Sequence, residues 1–344
     1  MKTKKIKIAH IHVWDKTNKG DLAIVLAVQE LLRSAFPSLE IVDYPVEVLK
    51  THDAKTAAAI NRADLVVMGG GGLFYRYFLP FSKEMLKAIK KPLVVFGVGY
   101  IREVGARSLT PVERSSVINL AKRADLLSVR ENYTKKFLQK HGLATNKIRV
   151  IGDPALLLSE KSKVKNLKTG FKLGLNLNYS GWLGFGPWRE DILLAYRETA
   201  EYFQREYGAS VYYLKHHPSE DAIYPALKIK GLKIIDEEPH TQKALYGQLD
   251  LVIGMMLHSC VMAAGAITPE INVAYDLRNR NFARFLGCPE LVVELPDLKS
   301  GELLRRAQLV AANAPAYRQQ FSIFKSMVDK RTQAFLNDIQ KLVN

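Results

Sequence analysis

The side chains best placed to do chemistry in this 344-residue chain stand just after short apolar runs. The clearest is His258, set within "LDLVIGMMLHSCVMAAGAI" (249–267), a nearly unbroken apolar stretch. "DLVIGM" has the composition of a buried strand and "HSCVMAAGA" reads as the helix after it. His258 therefore belongs at a helix N-terminus, beyond the carboxyl end of a strand. The positive end of a helix disfavours imidazolium and lowers its pKa, and an anionic ligand raises it again. That tuning suits a general acid/base working near neutral pH. Taken alone, a core histidine or a helix cap would explain the residue better; its company argues for function.

Arg130 ends "LLSVR" (126–130), and its planar fork suits a carboxylate or phosphate, with a salt bridge to Glu131 or Asp153 as the competing reading. "VAYDLRNRNFARFLG" (273–287) supplies Tyr275, Asp276 and Arg278, while Arg280 and Arg284 read equally as a solvated helix face. "MGGGGLFY" (68–75) lets the backbone approach a ligand closely through Gly70, Gly71 and Gly72, although it is neither G-x-G-x-x-G nor a Walker A loop. In "NKGDLAI" (18–24), Gly20 reads as a turn residue and Asp21 as a helix N-cap, with Asn18 facing the cleft. "FGVGY" (96–100) ends in Tyr100, and close packing explains its glycines. "KHHPSED" (215–221) places Lys215, His216 and His217 at a strand end, and strand alternation sends the two imidazoles to opposite sides. That local pattern lacks a metal-ligand set, so no metal is expected.

These residues need elements to carry them. β-rich runs recur at 6–13, 40–44, 64–69, 92–99, 126–130 and 148–153, with helical spacing between them, as in 21–36 and 110–124. A second series occupies 171–178, 210–217, 232–236, 250–255, 271–276 and 291–295. Continuous apolar strands alternating with helices argue for parallel sheets covered on both faces. The lysine-rich "SEKSKVKNLKTG" (159–170) reads as a linker. The expected organisation is an N-terminal α/β domain over 1–160 and a second α/β domain over 171–315. An amphipathic helix follows within 316–344 and packs back on the first domain. In open α/β sheets, ligands bind beyond the carboxyl ends of the strands.

Composition bounds the function. The net charge of +16 attracts phosphates, carboxylates, nucleic acid or anionic lipid without specifying which. Two cysteines, Cys260 and Cys288, are too few for a disulfide scaffold and fit a reducing compartment. No apolar segment follows the basic start as in a signal peptide, so a cytoplasmic location is expected, with a basic surface suited to the inner face of a membrane. No nucleic-acid motif appears, and charge alone gives only salt-sensitive, unspecific binding.

The ordered set "NKGD", "GGGGLF", "GVG", "SVRE", "GDPALLL", "HHPSED", "LHS" and "VAYDLR" resembles the polysaccharide pyruvyl transferase family. No single motif is specific; the series in this order is. The resemblance implies two Rossmann-like domains in a GT-B-like arrangement. It also implies transfer of pyruvate from phosphoenolpyruvate to two hydroxyls of a sugar in a cell-surface or exopolysaccharide precursor, giving a cyclic ketal. His258 then falls at the catalytic position. Arg130, Gly70, Gly71, Gly72, His217, Asp276 and Arg278 become donor-binding candidates, and Asn18, Asp21, Tyr100 and Lys215 acceptor or cleft candidates. Phosphoenolpyruvate would be a substrate rather than a cofactor, and the acceptor a glycan or lipid-linked oligosaccharide. The family's usual arginine immediately before Leu-His is Met256 here, and Arg278, Lys215 and Arg102 are candidate replacements. A GT-B glycosyltransferase using a nucleotide sugar is the competing reading.

Overall fold

The computed structural model describes residues 5–102, 106–178 and 186–343. The basic opening residues 1–4 lie outside them. Each of the apolar runs above forms a strand. β1 (Ile6–His12), β2 (Leu39–Pro45), β3 (Leu65–Phe74), β4 (Leu93–Tyr100), β5 (Leu126–Val129) and β6 (Arg149–Val150) make one sheet, ordered β2-β1-β3-β4-β5-β6. β7 (Lys172–Asn176), β8 (Ser210–Leu214), β9 (Lys233–Ile235), β10 (Leu251–Gly254), β11 (Glu270–Ala274) and β12 (Val292–Glu294) make the other, ordered β12-β11-β10-β7-β8-β9. All pairings are parallel. β3, β4, β10 and β11 are buried along their whole length, because helices cover both faces of each sheet and leave no solvated side.

Helices α1 (Lys19–Ala35), α2 (Ala54–Ile60), α3 (Lys83–Ala88), α4 (Pro111–Arg123) and α5 (Asn132–Lys140) link the strands of the first sheet. α6 (Arg189–Tyr207), α7 (Pro239–Tyr246), α8 (Leu257–Gly265) and α9 (Leu277–Leu286) lie between strands of the second, and α10 (Glu302–Ala312) and α11 (Ala314–Val343) end the chain. α11 lies against the first sheet. Phe335 meets Phe96 of β4 edge-on at 5.5 Å, and Arg149 pairs with Asp338 at 2.6 Å.

The start of α1 departs from the sequence reading. Its N-cap is Asn18, whose side chain accepts from the amides of Gly20 and Asp21. Asp21 is thus not the cap but lies inside the first turn, and its carboxylate is released for other contacts.

Strand order fixes where a ligand belongs. In the first sheet the chain reverses direction of growth between β1 and β3; in the second it does so between β7 and β10. The second order is that of dinucleotide-binding Rossmann sheets, and the first is flavodoxin-like with one strand added. Such switch points open crevices at strand carboxyl ends.

β11 begins with Glu270, fully buried beside Cys260, and burial pushes its carboxyl up to about 8. An unfolded Glu titrates near ~4.3. The folded chain therefore holds a proton that the unfolded chain has released. This contribution to stability is full below about pH 4.3 and is lost as pH rises through about 8. We expect Glu270→Gln to gain stability relative to the parent between pH 5 and pH 8 in urea unfolding. An unchanged difference between the two proteins at both pH values would refute this.

Candidate functional site

The two switch points face each other and enclose a cavity of about 200 Å3. From the first sheet come Asn18 and Asp21 at the entry of α1, and Gly72 and Tyr75 at the exit of β3. From the second come Asn178 beyond β7, Met256, Leu257 and His258 beyond β10, and Tyr275 and Arg278 beyond β11. Both α1 and α8 begin at this cavity, so two positive helix ends converge on it. α8 has no capping side chain; Met256 holds the N-cap position, and its amide donates to Asn176 Oδ1 at 3.1 Å.

His258 is buried in the seam between the two halves. Its ring lies against Gly20, where a Cβ would sit 2.3 Å from Nδ1. Gly20 is a helical residue, not a turn residue as the sequence suggested; glycine is needed there because the imidazole of a distant helix occupies the side-chain position. On the other side, Nε2 lies 4.0 Å from Asp153 Oδ2 and has no hydrogen-bond partner among the described residues. Burial, and then the positive charges of Arg130 and Arg278, hold the imidazole well below its usual pKa. This environment favours the neutral imidazole.

Asp21 shows the opposite tuning. Burial raises its carboxyl to about 6, although Arg278 and Arg130 pull it down. The Arg278 guanidinium donates to Asp276, whose own side chain caps α9, and to Tyr275 Oη at 3.0 Å. Asp276 thus acts through Arg278 rather than lining the cavity. Beside it stand a neutral imidazole and a carboxyl that exchanges its proton near neutral pH.

Several expected site residues stand elsewhere. Arg130 lies behind the cavity, 4% exposed, and the competing reading holds: Nε donates to Glu131 at 2.9 Å and Nη1 to Asp153 at 3.4 Å. Its reach is set by Gly99, where a Cβ would meet Arg130 Nε at 2.2 Å. The glycine run is strand, not loop. A Cβ on Gly70 would lie 2.1 Å from Ile24 Cγ2, so Gly70 serves the close packing of α1; Gly71 adopts a φ of +83°, and of these three glycines only Gly72 reaches the cavity.

The Lys215–Asp221 stretch works as a clasp across the seam. Lys215 pairs with Asp221 at 2.8 Å and Asp236 at 3.0 Å. The backbone amide of Lys19 donates to the His216 carbonyl at 2.9 Å, and its ammonium reaches Asp236 at 2.5 Å. His216 is buried against Tyr246 Oη at 2.7 Å, and burial lowers it to about 3. His217 accepts from the Ser219 amide at 3.1 Å and lies 3.3 Å from Thr17 Oγ1, outside the cavity. Tyr100 stacks on Phe137 at 4.1 Å and lines a separate basic cavity of about 440 Å3 with Arg102, Arg114 and Lys136. Of the three candidate replacements for the arginine absent at Met256, Arg278 alone lines the Met256 cavity. Sequence reasoning missed Tyr75 and Asn178, although both follow strand ends and the positional rule that selected the others would have found them.

The profile of the polysaccharide pyruvyl transferase family matches residues 18–276. The amylovoran biosynthesis protein AmsJ of Erwinia amylovora is 22% identical over 302 residues, covering 76% of this chain and 68% of its own length. Among solved structures, the UDP-GlcNAc 2-epimerase of Neisseria meningitidis, bound to UDP-GlcNAc, superposes with a TM-score of 0.62 at 12% identity over 98% of this chain and 100% of its own. Anabaena HepE, in complex with UDP and glucose, gives 0.56 at 13% identity over 98% of each chain. At such identity these structures share the fold with this chain, and nothing further follows from them about its chemistry.

The Gly20 contact is open to a direct test. We expect His258 in the parent protein to stay neutral well below pH 6.5 in histidine-detected NMR, and Gly20→Ala to raise its titration toward the ordinary value by displacing the ring. The helix itself tolerates the change, since alanine favours a helix over glycine by about 1 kcal/mol. Identical titrations in the two proteins would contradict the contact.

Proposed function

The chain belongs to the polysaccharide pyruvyl transferase family and is a transferase of polysaccharide biosynthesis; from that premise we propose that it moves pyruvate from phosphoenolpyruvate to a sugar diol, forming a ketal. The observation carrying this reading is that His258, Asp21 and Arg278 line one cavity between two helix N-termini. Phosphoenolpyruvate brings a phosphate and a carboxylate into this positive site. The uncapped first turn of α8 offers amides to one anionic group, and Arg278 offers a guanidinium. Met256 contributes apolar surface where a guanidinium would otherwise stand.

The chemistry requires one proton delivered to the methylene carbon and two removed from the acceptor. Protonation of that carbon gives an oxocarbenium-like centre at the neighbouring carbon. A sugar hydroxyl attacks it and loses its proton; the bond to phosphate oxygen breaks, and the second hydroxyl closes the ring. Of the two protons lost by the hydroxyls, one balances the proton added to carbon and the other leaves with phosphate. Burial disfavours the charged form of His258, and the donor's negative charge raises its pKa, so the imidazole becomes a proton carrier when donor binds. Asp21, poised near about 6, is suited to receive a hydroxyl proton. Contacts that strengthen as charge develops account for the acceleration; uniform donor binding would not.

The acceptor is a glycan or lipid-linked oligosaccharide in this reading. No helix among the described residues is long and apolar enough to cross a membrane. The net charge of +16 favours a precursor held at an anionic surface.

The test is thermal stabilisation by phosphoenolpyruvate, with pyruvate, inorganic phosphate and UDP-sugars at matched ionic strength. We expect a shift specific to phosphoenolpyruvate that is lost in Arg278→Ala. With a competent acceptor, His258→Asn should keep the shift but lower phosphate release by about 10²–10⁴-fold. Stabilisation by a UDP-sugar alone would replace this reading with glycosyl transfer.

A further inference from the structure

A separate group of side chains gathers where β1 ends. His10 and His12 are two residues apart on β1 and so project from the same face. Strand pairing sets Asp43 of β2 directly beside His10. Asp43 Oδ1 lies 3.1 Å from His12 Nε2 and 3.6 Å from His10 Nδ1, and the three ligand atoms fall within 4.8 Å of one another. A tetrahedral ion with bonds of ~2.0–2.1 Å separates neighbouring ligand atoms by ~3.4 Å, which these distances bracket.

Two features point to cation binding rather than to packing. His10 is completely buried, and neither of its ring nitrogens has a hydrogen-bond partner among the described residues. The structure makes room for it all the same: a Cβ on Gly69 of β3 would lie 2.4 Å from His10 Nε2. The second feature is the tautomer of His12. Its Nδ1 lies 2.6 Å from the Val13 carbonyl, which only accepts, so Nδ1 carries the proton. In the neutral ring the Nε2 lone pair then faces Asp43 Oδ1, another acceptor. A cation between them converts this opposition into coordination, and the Val13 carbonyl becomes the outer partner that orients a ligating histidine. Gln29 Nε2, 2.8 Å from Asp43 Oδ1, steadies the carboxylate.

We propose that His10 Nδ1, His12 Nε2 and the Asp43 carboxylate bind one divalent transition ion of the zinc class, with an open coordination position on the side of the half-exposed Asp43. Two imidazoles and a carboxylate are the donor set such ions prefer. The Lys215–Asp221 stretch, in which no metal was expected, is not involved. The ion would pin the end of β1 to β2. Val13, the next residue, lines the catalytic cavity, and Asn18 follows it at the start of α1. The ion is therefore a positioning element for that loop, and the assignment does not depend on which donor the enzyme uses.

The experiment is calorimetric titration of chelator-treated, full-length protein with Zn2+, and with Co2+ read by visible absorption. We expect one equivalent to bind, a cobalt spectrum with nitrogen ligation at low coordination number, and thermal stabilisation by Zn2+. His12→Gln at the buried ligand and Asp43→Asn at the exposed one, both checked for an unchanged circular dichroism spectrum, should weaken binding by at least about 100-fold, beyond the 10–100-fold usual for an outer partner. Absence of stoichiometric binding in the parent overturns the proposal. Binding that survives both substitutions places the ion elsewhere and overturns it equally.

Discussion

The imidazole of His258 rests where the side chain of residue 20 would be, and the rest of the site depends on this contact. It brings the first turn of α8, from the second sheet, against the first turn of α1, from the first. A side chain at position 20 would take the space of this ring and displace it from the junction of the two helix ends. The surrounding seam supports the contact with charged clasps. Lys19 reaches Asp236, and Nζ of the buried Lys243, whose pKa burial lowers to about 7, donates to the carbonyls of Leu156 and Leu158 at 2.8 and 2.6 Å. A buried donor of this kind is tolerated only when it is satisfied, so the clasp also specifies how the halves meet.

The electrostatics of the cavity follow from the same geometry. Two helix ends and Arg278 bring positive groups to it, Asp276 balances part of that charge, and burial keeps His258 from adding more. Arg130 contributes to the field from behind, yet Glu131 and Asp153 largely balance it. Desolvation pushes both carboxyls up, and the guanidinium between them opposes that rise. The network thus holds Asp153 near His258 without bringing Arg130 to the ligand. In the proposed reaction this arrangement leaves the imidazole's protonation to the arriving anion, which would tie proton availability to donor occupancy.

The scaffold itself is shared with sugar-nucleotide enzymes at 12% to 14% identity. Two facing switch points supply a crevice in all α/β pairs of this kind, and the residues delivered there decide the chemistry. In this chain those residues are an imidazole, a raised carboxyl and one arginine, with a thioether beside them.

The sequence by itself determined what depends on local pattern. Apolar runs and helical spacing placed every strand, and the break after "DLVIGM" put His258 at a helix N-terminus. Capping was legible only as to place: local pattern assigned the role to Asp21, and the backbone gives it to Asn18, three residues earlier. Tertiary structure alone decided which strand-end residues meet. Arg130 and Arg278 look equivalent in sequence, since each ends an apolar run beside an acid. Neighbouring carboxylates hold the first in the wall, and the second faces the cavity. The glycine run read as a ligand loop because nothing local reveals that α1 lies on Gly70. His12 and Asp43, 31 positions apart, become neighbours only through the register of β1 with β2. Periodicity and capping are encoded within a turn or a strand. Register and the Gly20 contact join distant segments, and so they exist only once the chain has folded.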